Sequence, residues 1–270
     1  LDVVFLYESE GNTKQVASGR SNQQTTSNQH FFSELSQRII KQVNRLGPLG
    51  RLYELDARLR PTGRSGTLAV SFDGFRRYFS EGQGQLWERQ ALCRARPIYG
   101  SESARNEALS IAHSVIKNPA WQPEFAAQIR DMRLRMQENA SPRNLKRSPG
   151  GLVDVEFIAQ MLQLQNAVSS PEVLQPGTIE ALEALEAAGH LEPDKAERLR
   201  ESYRFLRSIE ARLRLMNTTA RHDLPEDERE LSKLAYLFEA DADDIVQRCR
   251  DYSQDNRRLF TELFQRAADE

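Results

Sequence analysis

The chain has 270 residues, room for one large domain or two ordinary ones, and its 37 basic and 39 acidic side chains give a formal net charge of -2. That balance excludes a protein built to coat a polyanion, so any nucleotide site is a local feature. Cys93 and Cys249 lie far apart without the spacing of a disulfide framework, which points to a reducing, cytoplasmic setting, and no apolar run approaches the roughly 20 residues that a membrane span needs.

"LDVVFLY", residues 1 to 7, reads as a strand buried on both faces, because Val3, Val4, Phe5 and Leu6 leave no polar side. It starts without a cap or turn before it, so an upstream part of the same fold is expected. The polar stretch "SEGNTKQVASGRSNQQTTSN" has no periodicity and reads as a loop of low order. A helix follows, with Asn28 as N-cap and Phe31, Phe32, Leu35, Ile39 and Val43 at helical spacing, ended by Gly47-Pro48. "GRLYELDARLRPTGRSG" then alternates strictly. Glu54, Asp56, Arg58 and Arg60 would share one face of a strand and Tyr53, Leu55, Ala57 and Leu59 the other. "TLAVSF" reads as a second strand, joined to it through "PTGRSG". Beyond it, Leu86, Trp87, Ala91 and Leu92 in "QLWERQALCRAR" fit a buried helix face, while Arg89, Arg94 and Arg96 fit either phosphate contacts or a solvated face.

From about residue 101 the pattern is helical throughout. Leu199, Tyr203, Leu206, Ile209, Leu213 and Met216 recur every three or four residues with arginines between them. Similar patterns run through "PEFAAQIRDMRLRMQEN", "GLVDVEFIAQMLQLQNAV", "TIEALEALEAAG" and "DDIVQRCRDYSQDNRRLFTELFQRA", the signature of a helical bundle. The expectation is an α+β fold in two parts, strands and helices over 1–100 and an all-α bundle over 101–270.

Two carboxylates invite a chemical reading. Asp2 heads an apolar strand and Asp56 sits mid-strand on a charged face. On neighbouring strands they could converge on a hard cation such as Mg²⁺, which prefers oxygen ligands. Arg58 and Arg60 on the same face, with Arg64 and Ser65 in the following turn, could hold phosphate oxygens. An exposed acid paired with an arginine across a solvated sheet face explains the same residues, and the spacing does not choose between the two. The four histidines show no ligand spacing for zinc, and neither cysteine has a partner that would make it a nucleophile. In "SPGGLVDVEF", Asp154 suits the first turn of a helix, and Glu156 lies about 200° round the helix from it, so the two do not share one site on a regular helix.

"LDVVFLY", "LYELDARLRPTG", "WERQALCRARPIYG" and "GGLVDVEF", in that order across nearly the whole chain, resemble the glutamine synthetase adenylyltransferase/adenylyl-removing enzyme family, nucleotidyltransferases of the DNA polymerase β superfamily. The resemblance implies a partial palm-like sheet in which Asp2 matches the second acid of a Ser-Asp-x-Asp motif and Asp56 the third acid of the triad. It implies Mg²⁺ and ATP as cofactors, transfer of AMP to a tyrosine of glutamine synthetase, and a PII-type signal protein as a further partner. It also places Asp154 and Glu156 near the catalytic sheet. "LDARLRPTG", "ERQALCRAR" and the Asp of "GGLVDVEF" are more like the AMP-transferring half than the removing half, while "RRLFTELF" leans towards the latter. Two other readings stay open. With the first acid absent from this chain it could be a silent fragment that docks glutamine synthetase or the signal protein, and a polymerase-like domain would share the metal site. The near-neutral charge counts against the last and against any nucleic-acid partner.

Overall fold

The computed structural model describes residues 1–14, 25–48, 50, 53–216 and 222–270. The chain divides into two compact units, Leu1–Asn118 and Pro119–Glu270. The first is α+β. It contains strands β1 (Phe5–Tyr7) and β2 (Ala69–Ser71), and helices α1 (Asn28–Val43), α2 (Phe72–Ser80), α3 (Leu86–Leu92) and α4 (Glu102–Lys117). The division falls after α4, later than the change of sequence pattern near residue 101, because Ile111 and Val115 of that helix share a core with Phe72 and Phe75 of α2.

β1 and β2 are parallel, with Phe5 opposite Ala69 and Tyr7 opposite Ser71. Their two faces have different coverings. Val4, Leu6 and Val70 pack onto the α2–α4 core, while the Tyr7 ring stacks on Phe32 of α1 at 5.1 Å. Most of "LDVVFLY" is half-buried rather than enclosed, and only Tyr7 is fully so. The α1 cap is Ser27 rather than Asn28: the Ser27 Oγ accepts from the His30 amide at 3.2 Å, as serine does at an N-cap. Asn28 instead donates its side-chain amide to Ser9 O at 2.8 Å and helps to close the base of the polar loop. Residues 15–24 of that loop lie outside the described residues.

The strand expected over 53–60 shrinks to one bridge at Asp56. Beyond Ala57 the chain turns, and a short 3-10 turn, Gly63–Ser65, precedes β2. "TLAVSF" therefore pairs with β1 and not with the segment before it. Trp87 is 42% exposed, contrary to the core role its helix spacing implied. The buried positions of α3 are Glu88, Arg89 and Gln90, since Arg89 donates to Val115 O at 3.1 Å and Ile116 O at 2.7 Å, carbonyls in the last turn of α4.

The second unit is helical, with α5 (Pro123–Gln137), α6 (Leu152–Asn166), α7 (Thr178–Ala187), α8 (Pro193–Met216), α9 (Glu228–Phe238) and α10 (Ala242–Asp269) among the described residues. α6 is buried on nearly every side and packs against α5, α7, α8 and α10, which explains why its sequence is apolar without a clear polar stripe. α9, not singled out in the sequence, begins at Asp227, whose carboxylate accepts from the Glu230 amide at 3.0 Å.

The entry to α6 is tight. A Cβ on Gly150, at φ +76°, would lie 1.7 Å from Ser253 O. Gly150→Ala is expected to destabilise the second unit by about 3 kcal/mol or more. Gly189→Ala, at φ +78° but with open space around it, is expected to lose only about 1–2 kcal/mol from backbone strain. Chemical denaturation of both variants would show the difference, and equal losses would refute the close-contact account.

Candidate active site

Asp2 and Asp56 are partners in a parallel bridge. The Val3 amide donates to Asp56 O at 2.8 Å, and the Asp56 amide to Leu1 O at 2.8 Å. Residues paired in this way put their side chains on one face, so the two acids, 54 positions apart in sequence, come together at one edge of the small sheet. Asp2 is exposed and Asp56 half-buried.

Arg58 completes the cluster. Its backbone amide donates to Asp56 Oδ1 at 2.9 Å, and its Nε reaches both carboxylate oxygens at 2.8 and 2.7 Å; a terminal guanidinium nitrogen also pairs with Asp56. The Arg58 hydrogen bond holds the Asp56 carboxyl below the usual carboxylate range, against the opposing effect of burial, with Arg64 adding to it through space. In return Asp56 raises the Arg58 guanidinium, with smaller contributions from Asp2 and Glu54. Asp56 is therefore influenced by Arg58 and Arg64, and Arg58 by Asp56 and Asp2.

Arg60 and Ser65 are used differently. Arg60 donates to Ala57 O at 2.7 Å, Gly66 O at 3.2 Å and Arg64 O at 3.4 Å, so its fork is spent on holding the turn. Ser65 Oγ donates to Thr62 O at 3.0 Å. Beside Arg60 an open cleft of about 450 Å³ is lined also by Gln29, His30, Ser33, Gln37, Thr67 and Leu68.

The acid pair suits a hard cation. Mg²⁺ commonly takes one or two carboxylates and completes its shell with water and phosphate oxygens. Among the described residues no group of three or more His, Cys, Asp or Glu is gathered for a metal. Arg58 already supplies positive charge to Asp56, so a metal ion there would have to displace part of that guanidinium contact.

Asp154 and Glu156 belong to the second unit and have structural partners there. Asp154 and Arg133 both have 0% side-chain exposure and pair at 2.5 Å, while Arg257 approaches the other Asp154 oxygen at 3.2 Å. Asp154 also accepts from the Gly150 amide at 2.8 Å, and Arg133 donates to Arg147 O and Ser148 O. Burial, partly offset by Asp154, lowers the Arg133 guanidinium. Glu156 accepts from the Tyr203 hydroxyl at 2.9 Å. Sequence reasoning did not find Arg133 or Arg257, which lie 21 and 103 positions from Asp154 and show no local pattern. Arg94 and Arg96 are exposed. Burial pushes the Cys93 and Cys249 thiols up to about 12, away from nucleophile chemistry.

An acid pair thus lies on an α+β unit, with arginines in the turn that follows. The family model described as glutamate-ammonia ligase adenylyltransferase matches residues 1–111, and that of GlnD PII-uridylyltransferase matches residues 124–267. A protein of Thioalkalivibrio sulfidiphilus is 36% identical over 84% of this chain and 23% of its own length. One of Streptomyces coelicolor is 35% identical over 80% and 22%, and one of Bradyrhizobium is 32% identical over 98% and 27%. All three are named bifunctional glutamine synthetase adenylyltransferase/adenylyl-removing enzyme. The chain belongs to the glutamine synthetase adenylyltransferase/adenylyl-removing enzyme family and spans about a quarter of the length of these relatives.

The electrostatics of the cluster give a direct test. Because the folded Asp56 carboxyl titrates low, its pairing with Arg58 adds stability above the ordinary aspartate value of about 3.9, and that stability is lost as pH falls through the folded value. In an NMR titration the Asp56 carboxyl carbon should have a midpoint below the ordinary value, and Arg58→Ala should move it upward. An ordinary midpoint unaffected by Arg58→Ala would contradict the pairing.

Proposed function

We propose that the chain carries the nucleotide-handling site of an enzyme that transfers AMP from ATP to a tyrosine of glutamine synthetase and so regulates nitrogen assimilation in the cytoplasm. The observation that carries this reading is the Asp2–Asp56 bridge, which joins two remote acids beside Arg58. On this reading the first unit is a palm-like nucleotidyltransferase domain of the DNA polymerase β type, and the second is a helical bundle attached to it in sequence.

Asp2 and Asp56 would hold Mg²⁺, which when bound neutralises phosphate charge and orients the triphosphate. Arg58 exchanges part of its contact with Asp56 for phosphate oxygens, and Arg64 meets them from the turn; Arg60 keeps the turn in shape from within. The cleft beside Arg60 offers amide, hydroxyl and imidazole groups to the base and ribose. The tyrosine oxygen attacks the α-phosphorus in line, the bond from that phosphorus to the pyrophosphate oxygen breaks, and the phenol proton passes to a neighbouring carboxylate. Positioning and charge neutralisation supply most of the rate in such transfers.

The relatives' names couple transfer with removal of the adenylyl group. The same acids and arginines would serve phosphorolysis of adenylyl-tyrosine to ADP, with inorganic phosphate as the attacking group. The resemblance of "LDARLRPTG" and "ERQALCRAR" supports transfer as the first reading. The match of residues 124–267 to a PII-uridylyltransferase model supports a PII-type signal protein as a partner of the helical unit.

Incubation of the protein with glutamine synthetase, Mg²⁺ and ATP labelled at the α-phosphate should place label on a synthetase tyrosine. Asp56→Asn should lower the rate about 100-fold or more. Label transfer unchanged in Asp56→Asn would overturn the role of the acid pair, whereas ADP release from adenylylated synthetase in phosphate, without label transfer, would establish the removing reaction instead.

A further inference from the structure

Asp56 carries the site, yet the strand around it is one bridge long. Along an extended segment the backbone groups of successive residues point to opposite edges. Those of Asp56 face Leu1 and Val3, at 2.8 Å each. Those of the residue before it, Leu55, face the other edge, where no strand among the described residues pairs with them. A side chain meets them instead. Asn44 Oδ1 accepts from the Leu55 amide at 2.7 Å, and Asn44 Nδ2 donates to Leu55 O at 3.4 Å. A side-chain amide carries both a donor and an acceptor, as a peptide group does, so Asn44 takes the place of a neighbouring strand residue. Leu55 and Asn44 are both half-buried, and backbone groups withdrawn from water need such partners.

Asn44 is itself fixed. It ends α1, with its backbone amide donating to Ile40 O at 2.9 Å. α1 is seated on the sheet through Phe32 against Tyr7 and through the Ser33 hydroxyl, which accepts from the Ala69 amide at 3.4 Å. Asparagine is common just past a helix where the chain takes a positive φ. Asn44 has φ -79°, so the helix end does not call for it, and the two bonds to Leu55 account for the residue.

We propose that Asn44 is a positioning residue: its side-chain amide grips the Leu55 backbone from the edge opposite Leu1 and Val3, and so holds Asp56 in register with Asp2 for a divalent cation. With both edges of the segment held, the Asp56 carboxylate can exchange part of its Arg58 contact for a metal ion while its backbone stays in place. The cation part of this statement rests on the adenylyl-transfer reading. The hold on the backbone does not.

Asn44→Leu keeps the size of the side chain and removes both bonds. Asn44→Asp keeps the acceptor for the Leu55 amide and removes the donor. Asn118→Leu is the matched control, because Asn118 also ends a helix of the first unit, α4, and its side chain donates to Ser114 O of that same helix at 2.9 Å. In the whole chain, the Leu55 and Asp56 amides should exchange with solvent about tenfold faster in Asn44→Leu, and Mn²⁺ should bind about fivefold more weakly, with neither change in Asn118→Leu. Asn44→Asp should leave the Leu55 amide slower to exchange than Asn44→Leu does. Unchanged exchange in Asn44→Leu, faster exchange with Mn²⁺ binding unaltered, or equal changes in Asn118→Leu would overturn the proposal. A wild-type chain that binds no Mn²⁺ defeats the cation reading itself, whereas unchanged Leu55 and Asp56 exchange defeats the role of Asn44 whether or not the metal binds.

Discussion

Two backbone hydrogen bonds, from the Val3 amide to Asp56 and from the Asp56 amide to Leu1, set the geometry on which the site depends. They bring two negative side chains to one face, where like charges repel unless positive charge lies near. Arg58 provides it, held to Asp56 through its backbone amide and its guanidinium. The rest of the first unit gives that arrangement a fixed base. Val4, Leu6 and Val70 seat one face of the sheet on α2 and α4, and Tyr7 seats the other on α1. The charged edge can then be exposed without being loose.

The second unit solves a related problem in a dry setting. Asp154 lies fully buried between Arg133 and Arg257 and also receives the Gly150 amide. Removing one member of a buried ion pair leaves an uncompensated charge, which costs about 3–5 kcal/mol. The Asn256 side chain adds a bond to Gly150 O at 2.9 Å and is itself reached by the Ser202 hydroxyl at 2.7 Å. "GGLVDVEF" is thereby accounted for by folding: its glycine admits the close approach of α10, and its acid anchors α5 and α10 to the start of α6.

Much of this was legible in the sequence, for definite reasons. The helices of the second unit showed themselves because their apolar residues recur at helical spacing, and the ordered motifs carried the family. Asp2 and Asp56 could be named because each is an acid in an otherwise apolar or alternating segment. The extent of the strands was harder to read. Alternation over 53–60 promised a full strand, but the bonds that the carbonyls of Ala57, Arg64 and Gly66 make to Arg60 favour a turn, and that long-range choice leaves no mark on period two. The same closure engages the Arg60 guanidinium with backbone carbonyls. Trp87 misled for a similar reason: spacing placed it on the buried face of α3, whereas Arg89 takes that place by bonding the end of α4. Partners such as Arg133 and Arg257 depend on tertiary proximity, which local pattern does not encode.

The central claim is that Asp2 and Asp56 form one cation site completed by a nucleotide. Mn²⁺ binding to the chain, followed by electron paramagnetic resonance with and without a non-hydrolysable ATP analogue, tests it most directly. Binding that strengthens with nucleotide and weakens about tenfold or more in both Asp2→Asn and Asp56→Asn, but not in Asp73→Asn, is the expected result. Mn²⁺ binding that is indifferent to Asp2→Asn and Asp56→Asn would contradict the account.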